Sequence, residues 1–324
     1  MKVAVLGYGT VGAGVYSMLS DAPGMEAGPV LVRPGKAVES FMVSDAALIF
    51  GDPTVDAVVE TLGGLDPAYS YGMRALEAGK HFITANKAMV AAHGLELAAL
   101  AREKGAAFLF SAACGGGVPF LHNLALSAET DRIEAVSGIL NGTTNYMLDA
   151  MQRRSLSYGD ALREAQSLGY AESDPTADVS GLDALRKMQL ACAVAFGVLP
   201  QSGMLCEGME HFTAADVEDI QSRGLVCRLM ARGSRAGESV SAYVEPVLFP
   251  RAAPESSVFT NNNMARYTGK RCGSIVLMGQ GAGRFPTASA VLRDLAAAQQ
   301  GARSMFPENC RAAEADNREA VHSY

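Results

Sequence analysis

The feature that most limits what this chain can fold into lies at its start. Lys2–Leu6 (KVAVL) is a short apolar run that passes directly into Gly7-Tyr8-Gly9-Thr10-Val11-Gly12. The run reads as a buried strand, and the glycine segment as a turn into a helix. In that setting Gly7 permits the tight turn, Gly9 lets backbone amides approach a pyrophosphate, and Gly12 lets the following helix pack on the strand. The helix N-terminus, with the first amides at Thr10 and Val11, then faces the phosphates. A GxGxxG alone is also an ordinary glycine-rich turn, but its place between an apolar strand and a helical run points to dinucleotide binding.

The next hundred residues keep the same rhythm. Val30-Leu31-Val32 reads as a second strand, ending in Arg33 with Lys36 nearby. An NAD-selective site commonly has an acid at this strand end, whereas an arginine suits a 2′-phosphate, so NADP is the preferred cofactor and NAD the alternative. An exposed strand-end arginine would look the same. Val58-Val59-Glu60-Thr61 before Gly63-Gly64 is a further strand end, and Thr61 should face the cofactor. A helix from Asp66-Pro67 to Gly79, a strand over 80–84, a helix from about 91 to Gly105 and a strand over 106–110 complete a βα alternation to about residue 122. Such alternation predicts a parallel sheet flanked by helices, with ligands outside the carboxyl ends of its strands. Lys87, directly after the strand that ends at Thr84, therefore falls where the nicotinamide half should lie.

The character then changes. Strand-like segments at 133–139, 224–232, 239–248, 258–268 and 272–278 are interleaved with helices at about 143–153, 157–168, 181–196 and 213–223. This pattern predicts a second, α+β domain with a mixed sheet and helices on one face. Near the end, Gly279, Gly281 and Gly283 precede Pro286-Thr287, which is either flexible punctuation before a helix or a second approach to the cofactor.

The densest chemistry lies in 169–187, GYAESDPTADVSGLDALRK, where Glu172, Asp174, Asp178, Asp183 and Lys187 gather around a helix start. Ser180 is a good N-cap, with Asp183 three residues on. Leu182, Leu185, Met188, Cys192 and Ala195 form the apolar stripe until Gly197 and Pro200 end the run. Asp183 and Lys187 are four apart and point roughly away from that stripe. A capping acid with a solvated ion pair, worth about 0.3–0.5 kcal/mol, would show this spacing. So would a pocket for a small zwitterion beside a proton donor.

Composition excludes several classes. A net charge of −7 argues against nucleic-acid binding. No run reaches the roughly 18 apolar residues of a membrane span, and no signal-peptide pattern precedes the first strand, so a cytoplasmic protein is expected. Six cysteines without a CxxC or paired framework read as reduced thiols, and five scattered histidines offer no transition-metal motif. At 324 residues with 49% hydrophobic content, the chain suits a compact two-domain enzyme.

Taken in order, GYGTVG at 7–12, ETLGG at 60–64, ALEAGKHFITANKAMVA at 75–91, GGGVP at 115–119, GILNGTTNYML at 138–148, LGYAESDPTADVSGLDALRK at 168–187 and GQGAGRFPTASAV at 279–291 resemble homoserine dehydrogenase. The likeness is loosest over about 200–275. It implies reversible, NAD(P)-dependent reduction of L-aspartate 4-semialdehyde to L-homoserine, at the branch leading to threonine, methionine and isoleucine. It also implies a Rossmann-type domain formed by 1–122 and 279–301, a substrate and dimerisation domain over 123–278, and a loose polar tail over 302–324. Position by position, Lys187 matches the general acid and base, and Lys87 the lysine between nicotinamide and substrate; both could reach the same oxygen. Glu172 and Asp183 match acids that bind the substrate ammonium and position a water, and Asp178 a further acid lining the pocket. Tyr170, Gly142 and Thr143 match substrate-pocket positions, and Gly283 and Thr287 nicotinamide contacts.

The family's sodium site of main-chain carbonyls would fall on Ser111, Cys114, Gly116 and Val118, although Ser111 stands where a glutamate is typical and Cys114 where a valine is. Few residues follow the last helix, so a regulatory ACT domain is not expected. A homodimer is the expected assembly, with a tetramer as the alternative. Two other readings compete: a silent dinucleotide-binding sensor, opposed by the presence of Lys87, Glu172, Asp183 and Lys187, and an oxidoreductase acting on diaminopimelate or dihydrodipicolinate, opposed by NGTTN and GYAESDPTAD.

Overall fold

The computed structural model describes residues 1–318. The chain divides into two compact units, one of Met1–His122 with Ala282–Cys310 and one of Asn123–Gly281 with the residues from Arg311 on. In the first unit the elements run β1 (Lys2–Leu6), α1 (Thr10–Leu19), β2 (Glu26–Leu31), β3 (Met42–Val43), α2 (Ala47–Phe50), β4 (Ala57–Glu60), α3 (Ala68–Glu77), β5 (His81–Thr84), α4 (Lys87–Lys104) and β6 (Phe108–Leu109), and the chain leaves along α5 (Phe120–Thr130). The six strands form one parallel sheet in the order β3-β2-β1-β4-β5-β6. Val3 to Leu6, Val58, Val59, Phe82 and Ile83 are fully buried, as strands covered on both faces must be. From β1 the chain first builds outward to β2 and then crosses back to β4, so the carboxyl ends of β1 and β4 open a crevice at the reversal.

The second unit contains β7 (Ile133–Ile139), α6 (Gly142–Arg154), α7 (Tyr158–Ser167), α8 (Thr176–Val179), α9 (Leu182–Phe196), β8 (Val198–Ser202), β9 (Leu205–Cys206), α10 (Ala214–Ser222), β10 (Leu225–Ala236), β11 (Ser239–Pro250), β12 (Asn262–Gly269) and β13 (Gly273–Gln280). Its main sheet has the order β13-β12-β7-β10-β11-β9, antiparallel except for the last pair, and α9 packs against β7, β10 and β11. The mixed α+β architecture expected from the sequence is present. After β13, α11 (Arg284–Gln299) returns to the first unit, where Gly14 of α1 lies so close to Arg284 that a Cβ would sit 2.8 Å from its carbonyl oxygen.

Three local expectations are corrected. Helix α4 begins at Lys87 rather than near 91, because the Asn86 side chain accepts from the Met89 amide and caps it there. Helix α9 is led in by Gly181, which adopts φ +81, and not by Ser180, which closes the separate short helix α8. The acid at 183 therefore has no capping box to complete.

The stretch from 302 is not a loose tail over the described residues. Ser304 bridges to Phe108, Met305 and Phe306 are buried, and the Phe306 ring lies 4.8 Å from that of Phe110. Farther on, β14 (Arg311–Glu314) pairs in parallel with β8, and Asn317 accepts from the Ala242 amide at 3.0 Å and donates to the Gly203 carbonyl at 2.6 Å. Two apolar side chains and one buried amide anchor a segment whose composition is mostly polar. Residues 319–324 of the expected tail lie outside the described residues.

Candidate active site

In the first unit the glycine turn has the geometry its spacing demands. Gly7 adopts φ +100 and its amide donates to the Leu31 carbonyl at 3.0 Å. A Cβ on Gly12 would lie 2.1 Å from the Gly7 carbonyl oxygen, so no side chain fits where α1 crosses the turn. Around Gly9, by contrast, a Cβ would meet nothing within 4 Å. Thr10 and Val11 open α1, whose first amides have no partner within the helix. A cavity of about 1130 Å³ adjoins this turn, lined by Gly7, Gly9, Arg33, Lys36, Glu39 and Thr61 among others. Phe41 stacks on Tyr16 with ring centroids 4.3 Å apart and holds the segment after β2 beside it. Open space over a glycine and amides at a helix start fit the pyrophosphate of a dinucleotide.

At the ends of β4 and β5, Glu60 is fully buried and accepts from the Leu62 amide (2.6 Å), the Gly63 amide (3.1 Å) and the Thr84 hydroxyl (2.5 Å). Thr84 in turn accepts from the Asn86 amide at 2.9 Å, and the Asn86 side chain donates to the Gly64 carbonyl at 2.6 Å. A buried acid thereby ties the Gly63-Gly64 turn to the cap that places Lys87, half-buried, as the first residue of α4. Thr61 donates its hydroxyl to the Leu6 carbonyl at 3.0 Å and closes the floor between β1 and β4.

In the second unit Lys187 Nζ donates to Asp183 Oδ2 at 2.7 Å and to the Leu140 carbonyl at 2.6 Å. The two side chains are only 12% and 10% exposed, so the solvated ion pair that the spacing allowed is not what forms. The Asn141 side chain donates to Asp178 Oδ1 at 2.7 Å and to Asp183 Oδ2 at 2.9 Å. Burial pushes the Asp178 carboxyl above its ordinary range; the Asn141 amide opposes that rise and the nearby Asp183 charge adds to it. Gly142 and Thr143 open α6, with the Thr143 hydroxyl on the Tyr170 carbonyl at 2.6 Å and the Tyr170 ring against Tyr146 at 5.1 Å. Glu172 stands apart. It is exposed between α7 and α8, its carbonyl accepts from Gln166, and among the described residues its carboxylate makes no hydrogen bond or ion pair.

The closing glycines separate by role. A Cβ on Gly281 would lie 2.0 Å from Asn263, whose amide donates to the same Leu140 carbonyl that holds Lys187. Gly283 (φ +119) leads into α11, and its carbonyl accepts from the amide of Thr287, which is buried in the first turn.

The loop with the four candidate carbonyls turns at Gly115 and Gly116, both at positive φ. The carbonyls of Ser111 and Val118 each accept one backbone amide, from Cys114 and Phe120, which leaves each a second lone pair for a hard cation. Arg293 donates to the Gly117 carbonyl at 3.0 Å. Ser111 donates its amide (2.8 Å) and hydroxyl (2.5 Å) to Asp294, whose carboxyl is buried and pushed up to about 7 by that burial.

Sequence reasoning passed over Asn141, Asn263 and the Glu60 side chain. Asn141 lies inside the NGTT motif, where its N-cap position was the available signal.

Residues 119–296 match the family model described as homoserine dehydrogenase, and residues 7–111 match that of the homoserine dehydrogenase NAD-binding domain. The chain is 37% identical over 319 residues to the homoserine dehydrogenase of Synechocystis sp., covering 91% of this chain and 72% of that protein. It is 38% identical over 317 residues to that of Corynebacterium glutamicum, covering 91% and 71%. Among solved structures, a homoserine dehydrogenase from Thiobacillus denitrificans superposes with a TM-score of 0.89 at 33% identity, covering 97% of this chain and 79% of that one. The S. aureus homoserine dehydrogenase at pH 8.5 gives 0.77 at 31%, covering 93% and 76%.

Proposed function

The chain belongs to the homoserine dehydrogenase family, and from that premise we propose how its residues divide the reversible reduction of L-aspartate 4-semialdehyde to L-homoserine. The observation that carries the assignment is the shielded Lys187–Asp183 pair, seated on the Leu140 carbonyl. When bound, the nicotinamide supplies or accepts the hydride. Lys187 gives its proton to the substrate oxygen in the reductive direction and takes it back in the oxidative one, and its charge stabilises the developing alkoxide. Asp183 keeps that lysine oriented and positions a water. Glu172 and Asp183 receive the substrate ammonium, and Asp178 lines the pocket as a further acid; the exposure of Glu172 suits an acid that engages its partner only when substrate arrives. Gly142, Thr143 and Tyr170 frame the substrate pocket of the second unit, and Lys87 serves the nicotinamide half of the cofactor in the first.

Gly7, Gly9, Thr10, Val11 and Gly12 hold the pyrophosphate end, with Thr61, Gly283 and Thr287 toward the nicotinamide. Arg33 favours a 2′-phosphate, so NADP is preferred over NAD. A sodium ion on the carbonyls of Ser111, Cys114, Gly116 and Val118 steadies the loop before α5. Among the described residues no helix is long and apolar enough to cross a membrane. The expected state is a cytoplasmic homodimer; the second unit supports this with β13, an edge strand exposing Val276 and Met278.

The test is absorbance at 340 nm with purified protein, homoserine and each of NADP and NAD. Turnover with NADP exceeding that with NAD is expected. Cofactor binding without turnover on either would replace this reading with that of a sensor.

A further inference from the structure

Asn141 is 4% exposed and every polar atom of its side chain is committed. Its Oδ1 accepts from the Thr144 amide at 2.8 Å and from the Thr144 hydroxyl at 3.0 Å, which fixes which way the amide faces. The two hydrogens of its NH2 group are then directed at two different carboxylates, Asp178 of α8 and Asp183 of α9. One residue earlier, the Leu140 carbonyl accepts from Lys187 Nζ at 2.6 Å and from the Asn263 amide at 3.0 Å. Two consecutive residues at the end of β7 thus hold the lysine through a carbonyl and both acids through an amide.

We propose that Asn141 is a positioning residue for proton transfer: its NH2 group, divided between Asp178 and Asp183, holds both acids as carboxylates beside Lys187 and so keeps the lysine an ammonium donor. The proposal rests on the reading of Lys187 as the proton-transfer group. The charged groups that meet at this amide are Asp178 from α8 and Asp183 and Lys187 from α9. Packed against them, β12 contributes the neutral Asn263, and the first turn of α6 carries no acid. Two carboxylates this close repel, and burial favours the protonated form of each, so without the donor one of them takes up a proton at a higher pH. A protonated Asp178 or Asp183 no longer balances and orients the Lys187 ammonium, so turnover falls on the acidic side of the pH profile.

Asn141 also caps α6, so its structural and electrostatic roles need separating. Asn141→Asp retains an N-cap oxygen for the Thr144 amide but has no NH2 to donate. Asn141→Ser retains a cap and adds no charge. In Asn141→Ser the acidic limb of the pH dependence of kcat for aldehyde reduction should move up by about one unit, with NADP affinity close to that of the unaltered protein; Asn141→Asp, which adds a third carboxylate, should raise the carboxyl titration further. In parallel, 13C NMR of aspartate-labelled protein should show carboxyl titration moved to higher pH in Asn141→Ser without any substrate. An unchanged pH profile and unchanged carboxyl titration in both variants would overturn the role of Asn141. If Lys187→Ala kept full turnover, the reading of Lys187 would fall, whereas the carboxyl titration would still decide whether Asn141 controls the charge of the acids.

Discussion

The two lysines of the proposed reaction are placed at different points of their helices. Lys187 sits in the second turn of α9, and its ammonium is bound by a carboxylate one turn earlier and by a main-chain carbonyl, with both charged side chains largely out of water. Lys87 is the first residue of α4, at the end where the helix dipole is positive and where the first turn carries no acid. The backbone at that helix start is fixed by the Asn86 cap, tied through Thr84 to the buried Glu60. The contrast separates two uses of one side chain. A lysine whose charge is built into a carboxylate network is suited to give up and recover a proton, and one at a helix start adds its charge to the positive end of the dipole.

The comparison breaks most visibly at Lys187. Lys187→Ala is expected to lower kcat by about 10²–10⁴ with cofactor affinity nearly intact, read from steady-state kinetics beside fluorescence titration of NADPH; full activity would remove the residue from the mechanism. The other side of the contrast is sharpened at Glu60. Replacing it with alanine leaves the Leu62 and Gly63 amides and the Thr84 hydroxyl without their acceptor, and should cost about 3 kcal/mol of stability in urea unfolding; a loss under about 0.5 kcal/mol would show that the acid does not hold the turn.

Next comes Lys87→Ala, for which about a tenfold loss in kcat/KM is expected, falling mainly on KM. A kcat loss equal to that of Lys187→Ala would abolish the distinction between the two lysines. The smallest effect is expected at Arg33→Asp, which should move the NADP/NAD preference toward NAD by a few fold. An unchanged ratio would leave the choice of cofactor to Lys36 and the rest of the cavity wall.

Much of the fold was readable from local pattern. The apolar strand running into GYGTVG needs only neighbours within a dozen residues, because the turn, the close helix and the exposed amides are all consequences of glycine at three positions. The longer strands and helices of the second unit likewise follow from periodicity, whereas the short elements α8, β8, β9 and β14 gave no periodic signal. The misreadings came where the deciding partner was distant. On a helical wheel Asp183 and Lys187 point off the apolar stripe, yet they are shielded because Asn141, 42 residues from Asp183, and Leu140, 47 residues from Lys187, close over them. The polar composition of the stretch after 302 gave no sign that Phe306 would lie against Phe110 or that Asn317 would bond Ala242. Ser180 looked like a cap because capping chemistry is local, but Gly181 at positive φ starts a new helix after it.

By itself, the sequence determined which chemical groups are present, the strand–turn–helix that suits a dinucleotide, and the alternation that divides the chain into a parallel and a mixed sheet. Those depend on backbone conformation and on side-chain spacing along one element, and both are short-range. Only the tertiary structure decided which polar groups lose their water, since dehydration requires several elements to converge on one atom. That convergence turns Asp183 and Lys187 from an ordinary surface pair into a shielded one, and it makes Asn141, inconspicuous in a turn motif, the residue on which two carboxylates depend.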